Sequence, residues 1–80
     1  MSKRRVMFSF GEEHIPEPII YNLGQQYNLV TNILRANISE DEGWITLELD
    51  GKEDDIEQGI AWVTSKGIRV DPVDGESEEH

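Results

Sequence analysis

The chain has 80 residues, with 17 acidic side chains against 7 basic ones, a net charge of −10 and no cysteine. That length permits one domain with a small core, because a chain this short buries only about 60% of its unfolded surface. The composition excludes disulfides, thiolate nucleophiles and cysteine-held zinc or iron–sulfur centres. The acid excess opposes a nucleic-acid partner, and the short basic run Lys3-Arg4-Arg5 does not offset it.

Residues 4 to 10, RRVMFSF, alternate Val6, Phe8 and Phe10 against Arg5, Met7 and Ser9, the period of a half-buried strand. After Gly11, Pro16 suits the first turn of a helix, and Ile19, Ile20, Leu23 and Tyr27 recur at helical spacing to about Asn28, with Gly24 a weak point inside. Val30 to Ser39 and Trp44 to Leu49 read as two strands joined through residues 40 to 43. With Asp41 and Glu42 at the turn centre, Leu34 opposes Leu49, Ala36 opposes Leu47 and Ile38 opposes Ile45; on the other face Arg35 opposes Glu48, Asn37 opposes Thr46 and Ser39 opposes Trp44. Acids crowd the start of KEDDIEQGIAWVTSKG, whose Ile56, Ile60 and Val63 form a stripe ending at Lys66-Gly67. Ile68 to Val70 form a short last strand.

The order strand, helix, strand, strand, helix, strand, with right-handed crossovers, implies an α+β, ferredoxin-like βαββαβ sandwich: a four-stranded antiparallel sheet with both helices on one face. Residues 1–72 make this domain, and 73–80 read as a disordered acidic tail, since DPVDGESEEH carries five acids and no Lys or Arg. No apolar run approaches the roughly 18 residues of a spanning helix, and the N-terminus lacks a secretion-signal core, so the expectation is a cytoplasmic chain with no membrane insertion.

The hairpin phase sends Leu34, Ala36 and Ile38 toward the helices, with Val6, Phe8, Leu47 and Leu49. Met7, Ile33, Arg35, Asn37 and Trp44 then share the uncovered face with Thr46, Glu48 and Arg69. Such a face is either ordinary surface with scattered apolar side chains or a place covered by another protein or a ligand; Met7, Arg35, Asn37 and Trp44 are its candidate interface residues. Asn32 has the parity of Leu34 and is expected toward the helix layer, where its amide either ties down the junction at residues 26 to 29 or meets a ligand at the sheet's rim.

Catalytic constellations are weak. Glu12-Glu13-His14 is a loop with two adjacent carboxylates and no fixed geometry for a cation, and Glu53-Asp54-Asp55 complements a helix dipole. No serine or threonine has a histidine at a recognisable spacing, and no glycine pattern cradles phosphate. The expectation is a chain that is not an enzyme and holds no metal or cofactor.

TNILRANI, followed by WITLELDG and DIEQGIAWVTSKGIRV, resembles the NIL domain, whose Asn-Ile-Leu stands here as Asn32-Ile33-Leu34. The resemblance runs from about Arg4 to Asp71 and implies an ACT-like regulatory fold. It implies ligand-binding roles for Asn32, Ile33 and Leu34, pairing with a twin into a homodimer, and methionine or a related amino acid as ligand. Domains of this kind occur on methionine-importing ABC ATPase subunits and on small ferredoxins. This sequence has neither a Walker loop nor cysteines, so a free-standing sensor is implied, with a ligand-free adaptor for a transporter or ferredoxin-type partner as the alternative.

Overall fold

Alternation in the first ten residues becomes β1, Ser2–Phe10, whose Val6 and Phe8 are buried while their neighbours face outward. The computed structural model describes residues 2–11, 18–39 and 42–73. After β1 come α1 (Ile19–Tyr27), β2 (Val30–Ile38), β3 (Gly43–Gly51), α2 (Glu53–Ser65) and β4 (Arg69–Pro72). The strands form one sheet in the order β2-β3-β1-β4, each neighbouring pair antiparallel. This is the ferredoxin-like arrangement expected from the element order. The expected helix start at Pro16, the Glu12-Glu13-His14 loop and residues 74–80 of the expected acidic tail lie outside the described residues.

Each helix is fixed by local chemistry. α1 opens with the Asn22 N–H donating to the Pro18 carbonyl at 2.9 Å and stops at Asn28, in the left-handed conformation with φ 57°, which asparagine tolerates better than most residues. The Leu29 N–H then donates to the Gly24 carbonyl at 3.0 Å, folding the chain back along its own last turn. A Cβ on Gly24 would lie 2.9 Å from the Leu29 oxygen. The glycine therefore exists to admit a backbone carbonyl. α2 carries Glu53, Asp54 and Asp55 in its first turn, where negative charge is favourable, and Ile56 and Val63 point into the core.

The core lies between the helices and the central strands: Val6, Phe8, Leu47 and Leu49 from the sheet meet Leu23, Leu29, Ile56, Val63 and Ile68. Tyr27 and Trp62 close its flank, ring centroids 5.8 Å apart, with the Lys66 ammonium 5.0 Å from the Trp62 ring. α2 lies over β1, β3 and β4, whereas β2 meets only α1 among the helices.

β2 departs from the expected register. Val30 opposes Asp50, Thr31 opposes Leu49, Asn32 opposes Glu48 and Ile33 opposes Leu47; a bulge follows, and Arg35 opposes Thr46, Ala36 opposes Ile45, Asn37 opposes Trp44 and Ile38 opposes Gly43. None of the pairs expected from a turn centred on Asp41 and Glu42 forms. Two causes combine. Gly43 is not a turn residue but a ladder residue, because a Cβ there would lie 3.0 Å from the Phe10 ring and 3.3 Å from the Ile38 Cα. The hairpin is closed instead by Ser39, whose N–H and hydroxyl both donate to the Glu42 carbonyl, at 2.8 and 2.9 Å. The second cause is Leu34, an extra residue with no partner of its own on β3.

Alanine at Gly24 gains helix propensity but collides with backbone. We expect Gly24→Ala to destabilise the domain by about 1–2 kcal/mol in urea unfolding; a stabilised variant would show that the Leu29 turn gives way without cost.

Candidate functional site on the open sheet face

A strand reverses its side chains at every residue, so one inserted residue changes the phase of everything beyond it. Before the bulge, the odd residues Thr31 and Ile33 lie on the helix side, opposite Leu49 and Leu47; after it, the even residues Ala36 and Ile38 do, opposite Ile45 and Gly43. Asn32, Arg35 and Asn37 consequently share the open face. They begin three rows across the sheet: Asn32, Glu48, Arg5; Arg35, Thr46, Met7; and Asn37, Trp44, Ser9. β4 extends the last two with Asp71 and Arg69.

These placements correct several expectations. Asn32 faces away from the helices and is exposed, not tucked against the helix layer. Ile33 is on the helix side, opposite Leu47, yet 53% exposed. Leu34 sits at the bulge and is 38% exposed, not in the core, and Ile38 keeps its expected side but is also exposed. Met7, Arg35, Asn37 and Trp44 do stand on the open face, Met7 and Trp44 half-buried in it. Asn32 thus joins the interface set, while Ile33 does not share its surface.

The charges on this face are unequally satisfied. The Arg5 Nε reaches Glu48 Oε2 at 3.4 Å, and the Arg69 Nε reaches Asp71 Oδ2 at 3.0 Å. Arg35 forms no ion pair or hydrogen bond among the described residues. Directly across from it, Thr46 is only 7% exposed, and its hydroxyl likewise makes no hydrogen bond among the described residues. A buried hydroxyl without a partner is uncommon in native proteins. A free guanidinium and an unused hydroxyl therefore stand side by side, flanked by the amides of Asn32 and Asn37 and by the Glu48 carboxylate. Such a set offers planar donors to a carboxylate and an acceptor to an ammonium. A hollow of about 190 Å³ bounded by Asn37, Ser39, Glu42, Gly43 and Trp44 continues the last row toward the hairpin. Among the described residues no group of three or more His, Asp or Glu side chains could hold a metal ion, and no helix is long and apolar enough to cross a membrane.

Thr46 and Glu48 carried no assigned role in the sequence. The available signal was the alternation of Thr46 and Glu48 with Ile45, Leu47 and Leu49 in the central strand, which sets both on the face opposite the core.

The NIL domain family matches residues 4–72. The chain belongs to that family. It is 30% identical over 78 residues to the methionine import ATP-binding protein MetN of Halalkalibacterium halodurans, covering 92% of this chain and 23% of that protein. Over 65 residues it is 29% identical to the L-aspartate semialdehyde sulfurtransferase iron-sulfur subunit of Methanocaldococcus jannaschii, covering 81% of this chain and 50% of that one. The chain thus spans half or less of the length of these relatives. The C-terminal domain of an ABC transporter ATP-binding protein from Enterococcus faecalis shares the fold, with a TM-score of 0.80 at 23% identity over 88% of this chain and 82% of that one.

Because the Thr46 hydroxyl has no partner, Thr46→Val keeps the shape and removes only an unsatisfied group. Urea unfolding should place the variant within about 1 kcal/mol of the parent, or above it; a loss beyond about 2 kcal/mol would reveal a hydrogen bond to that hydroxyl.

Proposed function

We propose that this domain is a regulatory module, not an enzyme, that binds a free α-amino acid, methionine or a close analogue, on the open face of a cytoplasmic homodimer. The observation that carries this reading is the unpaired Arg35 guanidinium beside the unused Thr46 hydroxyl. Arg35 and Thr46 take the ligand carboxylate bidentately, the Asn32 and Asn37 amides complete its donors, and Glu48 accepts from the ammonium. Met7 and Trp44, half-buried in neighbouring rows, supply apolar contact for an unbranched thioether. Membership of the NIL family, and a relative named as a methionine import ATP-binding protein, support methionine over other amino acids.

A second reading, a ligand-free adaptor that docks on a transporter subunit or a ferredoxin-type partner, draws on the exposed Ile33 and Ile38 of β2 and on the two kinds of relative.

Thermal denaturation with and without a panel of amino acids separates the two. Methionine at 100 times its dissociation constant should stabilise the domain by about 2.7 kcal/mol, raising the midpoint by about 10 °C or more. Arg35→Ala and Asn32→Ala should each abolish most of that rise while leaving the ligand-free midpoint near its original value, since both side chains are exposed. If no amino acid moves the midpoint, the adaptor reading takes its place; if the rise survives in Arg35→Ala, the carboxylate is held elsewhere.

A further inference from the structure

The open face differs in charge from the rest of the chain. Four of the seven basic side chains, Lys3, Arg5, Arg35 and Arg69, occupy open-face positions. Arg5 meets Glu48, and Arg69 meets Asp71. Lys3, which stands opposite Asp50, and Arg35 form no ion pair or hydrogen bond among the described residues. In a chain of net charge −10, a face with two such cations is the side that draws carboxylates.

The point where the chain leaves β4 decides which carboxylates are nearest. β4 runs antiparallel to β1, with Met7 opposite Asp71 and Val6 opposite Pro72, and one step further the Val73 N–H donates to the Arg5 carbonyl at 3.0 Å. The backbone therefore exits beside Arg5, heading toward Lys3. The following residues, DGESEEH, hold Asp74, Glu76, Glu78 and Glu79 and no Lys or Arg. Arg35 lies in the row of Asp71, reached through Thr46 and Met7. That is three strand spacings across from the exit and two residues back along the sheet, about 16 Å at about 4.8 Å per strand and about 3.3 Å per residue. An extended chain also covers about 3.3 Å per residue. Glu78 and Glu79 thus come within reach of Arg35, and Glu76 within reach of Lys3.

We propose that residues 74–80 lie back across the open face as a built-in carboxylate ligand, with Glu76 by Lys3 and Glu78 or Glu79 on the Arg35 guanidinium beside Thr46. The contact needs only the charges and the exit; its regulatory consequence rests on the amino-acid reading above. A carboxylate tethered by so few residues acts at an effective concentration of about millimolar, and it competes with a free ligand's carboxylate for the same guanidinium. Weak ligands are excluded. A ligand that also offers an ammonium to Glu48 and a side chain to Met7 and Trp44 displaces the segment. Lys3 and Arg35 are exposed, so salt weakens the contact.

The full-length chain is compared with a variant carrying Glu76→Gln, Glu78→Gln and Glu79→Gln, which leaves every described residue unchanged. In isotope-labelled samples without amino acid, at about pH 6, where glutamates are ionised, and at low salt, the Arg35 Nε–H resonance should differ between parent and variant. The difference should disappear at about 0.5 M salt, where screening acts within a few ångströms, and the amide of Tyr21 on α1 should stay in place throughout. The parent's resonance should hold its position over about a twentyfold dilution, as an intramolecular contact requires. An Arg35 resonance identical in parent and variant at low salt, or a difference that vanishes on dilution, overturns the contact. Methionine should bind the variant about threefold or more tighter than the parent at low salt, and equal dissociation constants overturn the competition. The two proposals fail separately: a shifted Arg35 resonance with no amino-acid-dependent melting shift keeps the contact and removes the ligand, whereas methionine binding of equal affinity with an unmoved Arg35 resonance does the reverse.

Discussion

One inserted residue in β2 decides what the open face of this domain can do. A regular strand holding Asn32, Arg35 and Asn37 would divide them between its two sides, because their positions differ in parity. The bulge after Ile33 moves the later residues by one step and sets all three against Glu48, Thr46 and Trp44 of β3. The same step sends Ile33, Ala36 and Ile38 to the helix side. An edge strand with adjacent apolar residues at Ile33 and Leu34 thereby becomes a strand with one polar and one apolar side.

The rest of the fold serves to hold β3 and leave β2 accessible. β3 is paired on both sides, by β1 and β2, and its Leu47 and Leu49 are fully buried, so the row positions of Thr46 and Glu48 are fixed by the core behind them. Among the helices only α1 meets β2, and apolar side chains of helix-side parity, Ile33 and Ile38, remain open to solvent there. Thr46 is held in place by the core behind β3, beside the Arg35 guanidinium, which forms no ion pair or hydrogen bond among the described residues. Exposed ion pairs elsewhere, such as Arg4 with Glu57 at 3.0 Å, contribute little to stability by comparison with that core.

Much of this was legible in the residues. The element order, the alternation of β1, the dipole-complementing acids of α2 and the phase of β3 follow from periodicity and charge, and they are enough for the fold class and for the open-face positions of Met7, Arg35, Asn37 and Trp44. What failed was the register of a single strand. An unbroken period of two admits no insertion, and an all-apolar pairing of Leu34, Ala36 and Ile38 with β3 looked coherent because adjacent apolar residues at 33 and 34 allow either phase. That adjacency was itself the signal: a half-buried strand with two consecutive apolar residues between Asn32 and Arg35 is where an alternation slips. Gly43 misled for a related reason, since a glycine beside Asp41 and Glu42 resembles a turn residue, while its lack of a side chain is needed between Phe10 and Ile38.

The most direct test reads the cross-strand neighbours of β2 in solution. Through-space proton contacts in an isotope-labelled sample should link Asn32 with Glu48, Arg35 with Thr46 and Asn37 with Trp44, with Ile33 against Leu47 on the other side. Contacts of Arg35 with Glu48 and of Asn37 with Thr46 would mean an unbulged strand, with Asn32 turned to the helices and the shared face of Asn32, Arg35 and Asn37 dissolved.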